Sequence, residues 1–168
     1  VLKVSCGFIV GFDTDLLSIF QRQIDFIQKS GIVSAMVGLL NAPNGTKLFK
    51  RMQSENRMLD VFADNNMDGT MNFIPKMNYR DLIAGYSKIV KTIYAQKEYY
   101  NRLKHFLSNY KQPFWNKNKI QLKEVRAFIM LIWLLGFIEK GKKYFWKLLA
   151  LSLFKHPNKF PLAMTMAV

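Results

Sequence analysis

Cysteine is almost missing from this chain, and so is histidine. One cysteine, Cys6, excludes an internal disulfide and argues for a reducing compartment. Cys6, His105 and His156 together fall short of the roughly four Cys or His ligands of a structural zinc site. The histidines lie on separate helical segments, far in sequence from Cys6, so no nucleophile–base pairing is visible. Cys6 reads as a small core residue of a strand. No Walker-type phosphate loop and no serine nucleophile elbow is present. The first residues lack a basic region followed by an apolar stretch and a small-residue cleavage site, so no secretory leader is expected. The most apolar run, Ala127 to Ile138, has twelve residues, short of the roughly 20 that a bilayer span needs. It reads as a buried helix or one lying against another domain.

Acidic residues are also scarce. The 168 residues hold 25 Lys and Arg against 11 Asp and Glu, a net charge of +14. The imbalance is local. Residues 1–75 carry seven basic and seven acidic residues, and residues 76–168 carry the remaining eighteen and four. This break places an expected domain boundary at Pro75, giving domains 1–75 and 76–168. Any anionic partner would meet the second. Hydrophobic residues make up 50% of the chain and aromatics 14%, enough for a bulky core.

The first domain alternates strand, turn and helix. Val4 to Phe12 is apolar apart from Ser5, as in a strand covered on both faces. Asp13, Thr14 and Asp15 offer N-caps for a helix from about Leu16 to Lys29, which Gly31 ends. Ile32 to Leu40 is a second strand, and Thr46 caps a short helix to Gln53. Residues 56–76 read as loop with a short strand at Phe73-Ile74. This is the grammar of a parallel sheet or α/β barrel, with too few strands to close one. From Asn78 onward the pattern is helical. One helix carries the stripe Leu82, Tyr86, Ile89, Val90 and Ile93. Others run from about Lys97 to Ser108, Leu122 to Lys140 and Lys142 to Phe154, with a further start at Pro161; Lys111 to Lys119 is a linker.

Three features invite functional readings. Asp64-Asn65-Asn66-Met67-Asp68-Gly69 copies the first half of a calcium-binding EF-hand loop, but Pro75 stands where the bidentate glutamate belongs, so a polar turn is the better reading. The helix of Lys142, Lys143 and Lys147 is amphipathic and suits either a membrane surface or a solvated face. The interleaved aromatics of the basic half, Tyr86, Tyr94, Tyr99, Tyr100, Tyr110, Phe114, Trp115, Trp133, Tyr144 and Trp146, suit single-stranded nucleic acid. Most fall on stripes expected to be buried, so nucleic acid is not the favoured partner.

Gly7-Phe8-Ile9-Val10-Gly11-Phe12-Asp13, then Phe20 to Gln28, then Met36 to Leu48, resembles the last third of a radical S-adenosylmethionine barrel of the cobalamin-binding kind. Asp68 to Met77, and Arg126 to Trp146, are similar to an uncharacterised helical domain appended to some of those enzymes, the hopanoid C-2 methylase type among them. The resemblance implies a fold class: an α/β fragment, the last βα units of a partial TIM-like barrel, followed by a mainly α-helical domain. It also implies a function, that of the C-terminal part of a methyltransferase of Fe–S oxidoreductase type.

Gly7, Ile9 and Gly11 match the G-x-I-x-G pattern that approaches the adenine of S-adenosylmethionine in such barrels. Glycine lets a planar base near the backbone, and a branched side chain packs on its face. Leu39 and Leu40 would add apolar and backbone contacts. Asp13 would either face a polar part of cofactor or substrate or cap the following helix. The family's three cluster cysteines, spaced C-x-x-x-C-x-x-C, have no counterpart here. The [4Fe–4S] cluster and the cobalamin are therefore expected on preceding segments of a parent protein, the chain's first partner, and this chain alone is not expected to catalyse. A cytoplasmic location is expected, with peripheral attachment to an anionic membrane or lipid substrate as an option. The alternatives are a small basic helical module binding nucleic acid or anionic membrane, and a structural appendage that lids the barrel.

Overall fold

The computed structural model describes residues 5–59, 69–110, 122–138 and 141–167, with the side chains of 122–125 and 127 left aside. It is mostly helical, with a small parallel sheet of two strands. The chain divides into two compact units, 1–95 and 96–168. The charge break at Pro75 falls inside the first unit, because charge follows the surface while the division follows the apolar stripes.

In the first unit β1 (Ser5–Val10) pairs in parallel with β2 (Ser34–Leu39), Ile9 opposite Gly38 and Gly7 opposite Met36. Between them runs α1 (Ser18–Ser30), ended by Gly31 at φ 69°, a left-handed conformation that favours glycine. α2 (Lys47–Ser54) begins at Thr46, whose side chain accepts from the Phe49 amide at 3.1 Å. α3 (Tyr79–Ile93) begins at Asn78, whose carboxamide accepts from the Arg80 and Asp81 amides. Phe73 joins Met58 in one antiparallel bridge rather than in a strand.

One face of the sheet is covered. α1 and α3 pack together against it, burying Val10, Phe20, Ile24, Ile27, Ala35, Val37, Leu39, Leu82, Ile89 and Ile93. Each large side chain buried this way contributes about 1.5–3 kcal/mol. Tyr94, capping α3, donates its hydroxyl to the Ala35 carbonyl at 3.0 Å and ties the helix end to β2. The other face is not covered as the apolar run of β1 predicts. Ser5, Gly7 and Ile9 alternate outward, with Ser34 and Met36 beside them, and all five are exposed, while Gly38, on the same face opposite Ile9, is buried. Parallel strands read apolar when both faces are buried; here the described residues supply cover for only one.

The second unit is helical. α4 (Gln96–Asn109) buries Arg102, Leu103 and Leu107 and packs on α6 (Lys142–Phe154), which buries Phe145, Leu148 and Ser152. Tyr99 donates its hydroxyl to the Met166 carbonyl at 2.6 Å, and the Arg102 guanidinium lies over its ring. Burial pushes the Tyr99 and Tyr100 phenols above their usual range. Pro157–Lys159 form a 3₁₀ turn leading to the short α7 (Phe160–Thr165). α5 (Leu122–Trp133) continues into a π-helical turn, Leu134–Ile138. Of the two readings of Ala127 to Ile138, burial within this chain is not what the described residues show, and a helix lying against another domain stays open. Of its described side chains and glycine, Gly136 alone is buried, and Trp133 is 63% exposed.

Candidate functional site

The chain leaves β1 through a tight turn. Gly11 sits at φ 105°, and a β-carbon on it would meet Met71, Leu82 and Leu40 at 3.4–3.7 Å. Those are ordinary contacts, so it is the backbone conformation that requires glycine. The Gly11 and Phe12 amides donate to Asp15 Oδ2 at 2.9 and 3.0 Å. Asp15 therefore closes the turn behind it rather than capping α1. The cap position of α1 is Leu17, with no side-chain hydrogen bond.

Nor does Asp13 cap the helix. Its carboxylate is gripped by two arginines. Arg57 donates Nη2 to Oδ1 at 2.7 Å and Nη1 to Oδ2 at 3.1 Å, and Arg51 donates Nη2 to Oδ2 at 2.9 Å. Arg57 also donates Nη1 to Glu55 at 2.8 Å and Nε to the Ile74 carbonyl at 2.7 Å, and lies over the Phe73 ring. The planar fork of guanidinium matches a carboxylate in this way and lysine does not. The Arg57 hydrogen bonds, then the Arg57, Arg51 and Lys76 charges, hold the Asp13 carboxyl below its ordinary value, against the opposing effect of burial. Its hydrogen bonds to Asp13 raise Arg57 in turn. Both stay charged near neutrality, so the pair has no proton to exchange. It is a lock at the carboxyl end of β1, where ligands of α/β sheets gather.

A second lock closes the end of β2. Asn72 donates its side-chain amide to the Ala42 carbonyl at 2.8 Å and accepts from the Ala42 amide at 2.9 Å. Asn41 accepts from the Asn72 amide at 2.9 Å and donates to the Thr70 carbonyl at 3.3 Å. Each carboxamide pairs with the other segment's backbone, as a strand would.

The sequence-selected residues separate by face. Gly7 and Ile9 point to the open side of the sheet, and a β-carbon on Gly7 would meet nothing within 4 Å. Gly11, Leu39 and Leu40 are buried, Leu39 on the helix-covered side. Asp13 stands at the rim between them and the arginines. Sequence reading passed over Arg51, Arg57, Asn41 and Asn72. Their partners lie up to 44 residues away, and no local spacing announces them. Among the described residues, no group of three or more His, Cys, Asp or Glu is placed to hold a metal ion. The EF-hand-like stretch lies outside the described residues except for Gly69.

A two-stranded parallel β-α-β unit, followed in the chain by a helical unit, defines the class: a mostly helical α/β protein with a small parallel sheet. The chain belongs to a family described as a domain of unknown function, DUF4070, found in cobalamin-binding radical S-adenosylmethionine proteins; the match covers residues 46–168. The match begins at Thr46, the cap of α2, so it contains Arg57 but not Asp13. The chain is also similar to an uncharacterized methyltransferase of Synechocystis sp., 30% identical over 151 residues, 86% of this chain and 28% of the relative. The hopanoid C-2 methylase of Rhodopseudomonas palustris is 26% identical over 153 residues, 87% of this chain and 28% of the relative. The chain thus spans 28% of the length of these curated relatives. No solved structure matches the chain at a significant level.

Proposed function

We propose that this chain forms the C-terminal part of a cobalamin-dependent radical S-adenosylmethionine methylase, giving one wall of the cofactor pocket and a helical accessory unit. The observation that carries this reading is the bare face of the sheet, with Gly7 bordering open space beside Ile9 while α1 and α3 cover the back. In a barrel of βα units, helices lie outside and the opposite sheet face looks inward. Further strands beside β1 and β2 would turn this face into a pocket wall. The relatives' greater length and their methyl-transferring names support the same reading.

The residues fit one wall for S-adenosylmethionine. A planar adenine can approach the backbone at Gly7 and pack on Ile9, and Leu39 and Leu40 would offer backbone contacts. Asp13 would act as a positioning residue, holding Arg51 and Arg57 at the rim. The residues do not fit a [4Fe–4S] cluster, which needs several thiolates where this chain has Cys6 alone. Cluster and cobalamin belong on the preceding segments. The cofactors supply the radical and methyl-transfer chemistry, and this chain's residues bind and orient.

Photo-crosslinking tests the reading. An azido-adenine analogue of S-adenosylmethionine, bound to an enzyme carrying this chain, should label the β1 peptide around Gly7 and Ile9. Labelling confined to other segments overturns it.

A further inference from the structure

From α5, its π-helical turn and α6, we infer an interfacial anchor for an anionic lipid surface, independent of the cofactor reading. Ile129, Met130, Trp133, Leu134, Phe137 and Ile138 are all exposed. An apolar surface of this extent marks an interaction site. The π turn contributes to it directly. π turns interrupt α-helices at functional places, and this one presents Leu134, Phe137 and Ile138 outward while Gly136 is buried. Trp146 of α6 donates its indole N–H to the Gly136 carbonyl at 3.0 Å, and its ring meets Phe137 edge to face at 5.8 Å. The indole is fixed with its polar atom satisfied and its body exposed. Leu153, two turns further along α6, is exposed as well.

Charge selects the occupant. Lys142, Lys143 and Lys147 of the same helix as Trp146 are exposed, the Lys143 and Lys147 ammoniums lying over the Tyr144 ring, and residues 141–168 carry five lysines and no acidic residue. The core of a protein–protein interface is depleted in lysine. A two-fold dimer through the same surface would set lysines against lysines. Tryptophan, aliphatic side chains and lysine together suit the boundary of an anionic bilayer. No helix among the described residues is long and apolar enough to cross a membrane, so this element would lie in the surface.

The test is sedimentation of the full chain with phosphatidylcholine vesicles, pure or with about one third phosphatidylglycerol. Binding is expected to the anionic vesicles alone at low salt, and to fade as salt rises. Lipids brominated on their acyl chains should quench the tryptophan emission. Lys142→Glu, Lys143→Glu and Lys147→Glu should each weaken binding roughly fivefold or more. Trp133→Ser with Phe137→Ser should abolish the quenching while circular dichroism stays unchanged, since both side chains are exposed. Equal binding to neutral vesicles, binding without quenching, or a self-association that Phe137→Ser dissolves while vesicles are ignored would each overturn the inference.

Discussion

Arg57 spans both carboxylate oxygens of Asp13, at 2.7 and 3.1 Å, across 44 residues of chain. The side chains are 13% and 14% exposed, so solvent screens the pair only in part. The contact ties the turn after β1 to the segment after α2. Asp13→Asn removes the charge that two arginines share, at an expected cost of about 2 kcal/mol by denaturant unfolding. Arg57→Lys should cost nearly as much, since one ammonium cannot serve Asp13, Glu55 and the Ile74 carbonyl together. The pH dependence has a definite sign. A carboxyl lowered in the folded state stabilises fully above its unfolded value, ordinarily 3.8, and loses that contribution as pH falls through the lower folded value. The wild type should therefore lose stability below about pH 4 more steeply than D13N. Parallel acid limbs would remove Asp13 from the account.

Gly85 of α3 meets Phe20 of α1 so closely that a β-carbon would overlap the ring, and both residues are buried. The approach is what lets two helices share one sheet face. Gly85→Ala should destabilise by about 1–3 kcal/mol, although alanine is the better helix former. A compensating Phe20→Leu should recover part of the loss. If Gly85→Ala raises the melting temperature, the helix packing described here is wrong.

The carboxamide clamp can be dissected chemically. Asn72→Asp keeps the acceptor for the Ala42 amide but sets a carboxylate against the Ala42 carbonyl, where the amide donated at 2.8 Å. Asn72→Ala removes both bonds. The aspartate should cost more than the alanine, each on the order of 2–4 kcal/mol, read by chemical denaturation. The reverse order would mean that Asn72 does not donate to Ala42.

What was legible from sequence follows from how far each signal reaches. The helices from Thr46 and Asn78, the stop at Gly31 and the two strands were readable because caps and apolar periods act within a few residues. Asp13 and Asp15 misled for the same reason: both suit a cap by type, but one is held by Arg57 and Arg51 and the other by the Gly11 and Phe12 amides. Periodicity likewise showed that Ala127 to Ile138 is apolar but not whether anything covers it. The pairing of Asn41 with Asn72 depends on the fold itself and leaves no local trace.

Two glycines of one motif should answer substitution in opposite ways. Gly11→Ala forces a side chain into a backbone conformation with positive φ, and should cost about 1–3 kcal/mol. Gly7 lies in regular strand with open space where its β-carbon would be, so Gly7→Ala should leave stability unchanged or slightly raised. Its effect belongs to function. If the bare face is the cofactor wall, Gly7→Leu in an enzyme carrying this chain should weaken S-adenosylmethionine at least tenfold, because the branched side chain stands where the base would lie. Affinity left intact by Gly7→Leu, with the fold verified by an unchanged melting temperature, would assign that face to contact with other protein segments and leave Gly7 a role in close sheet packing.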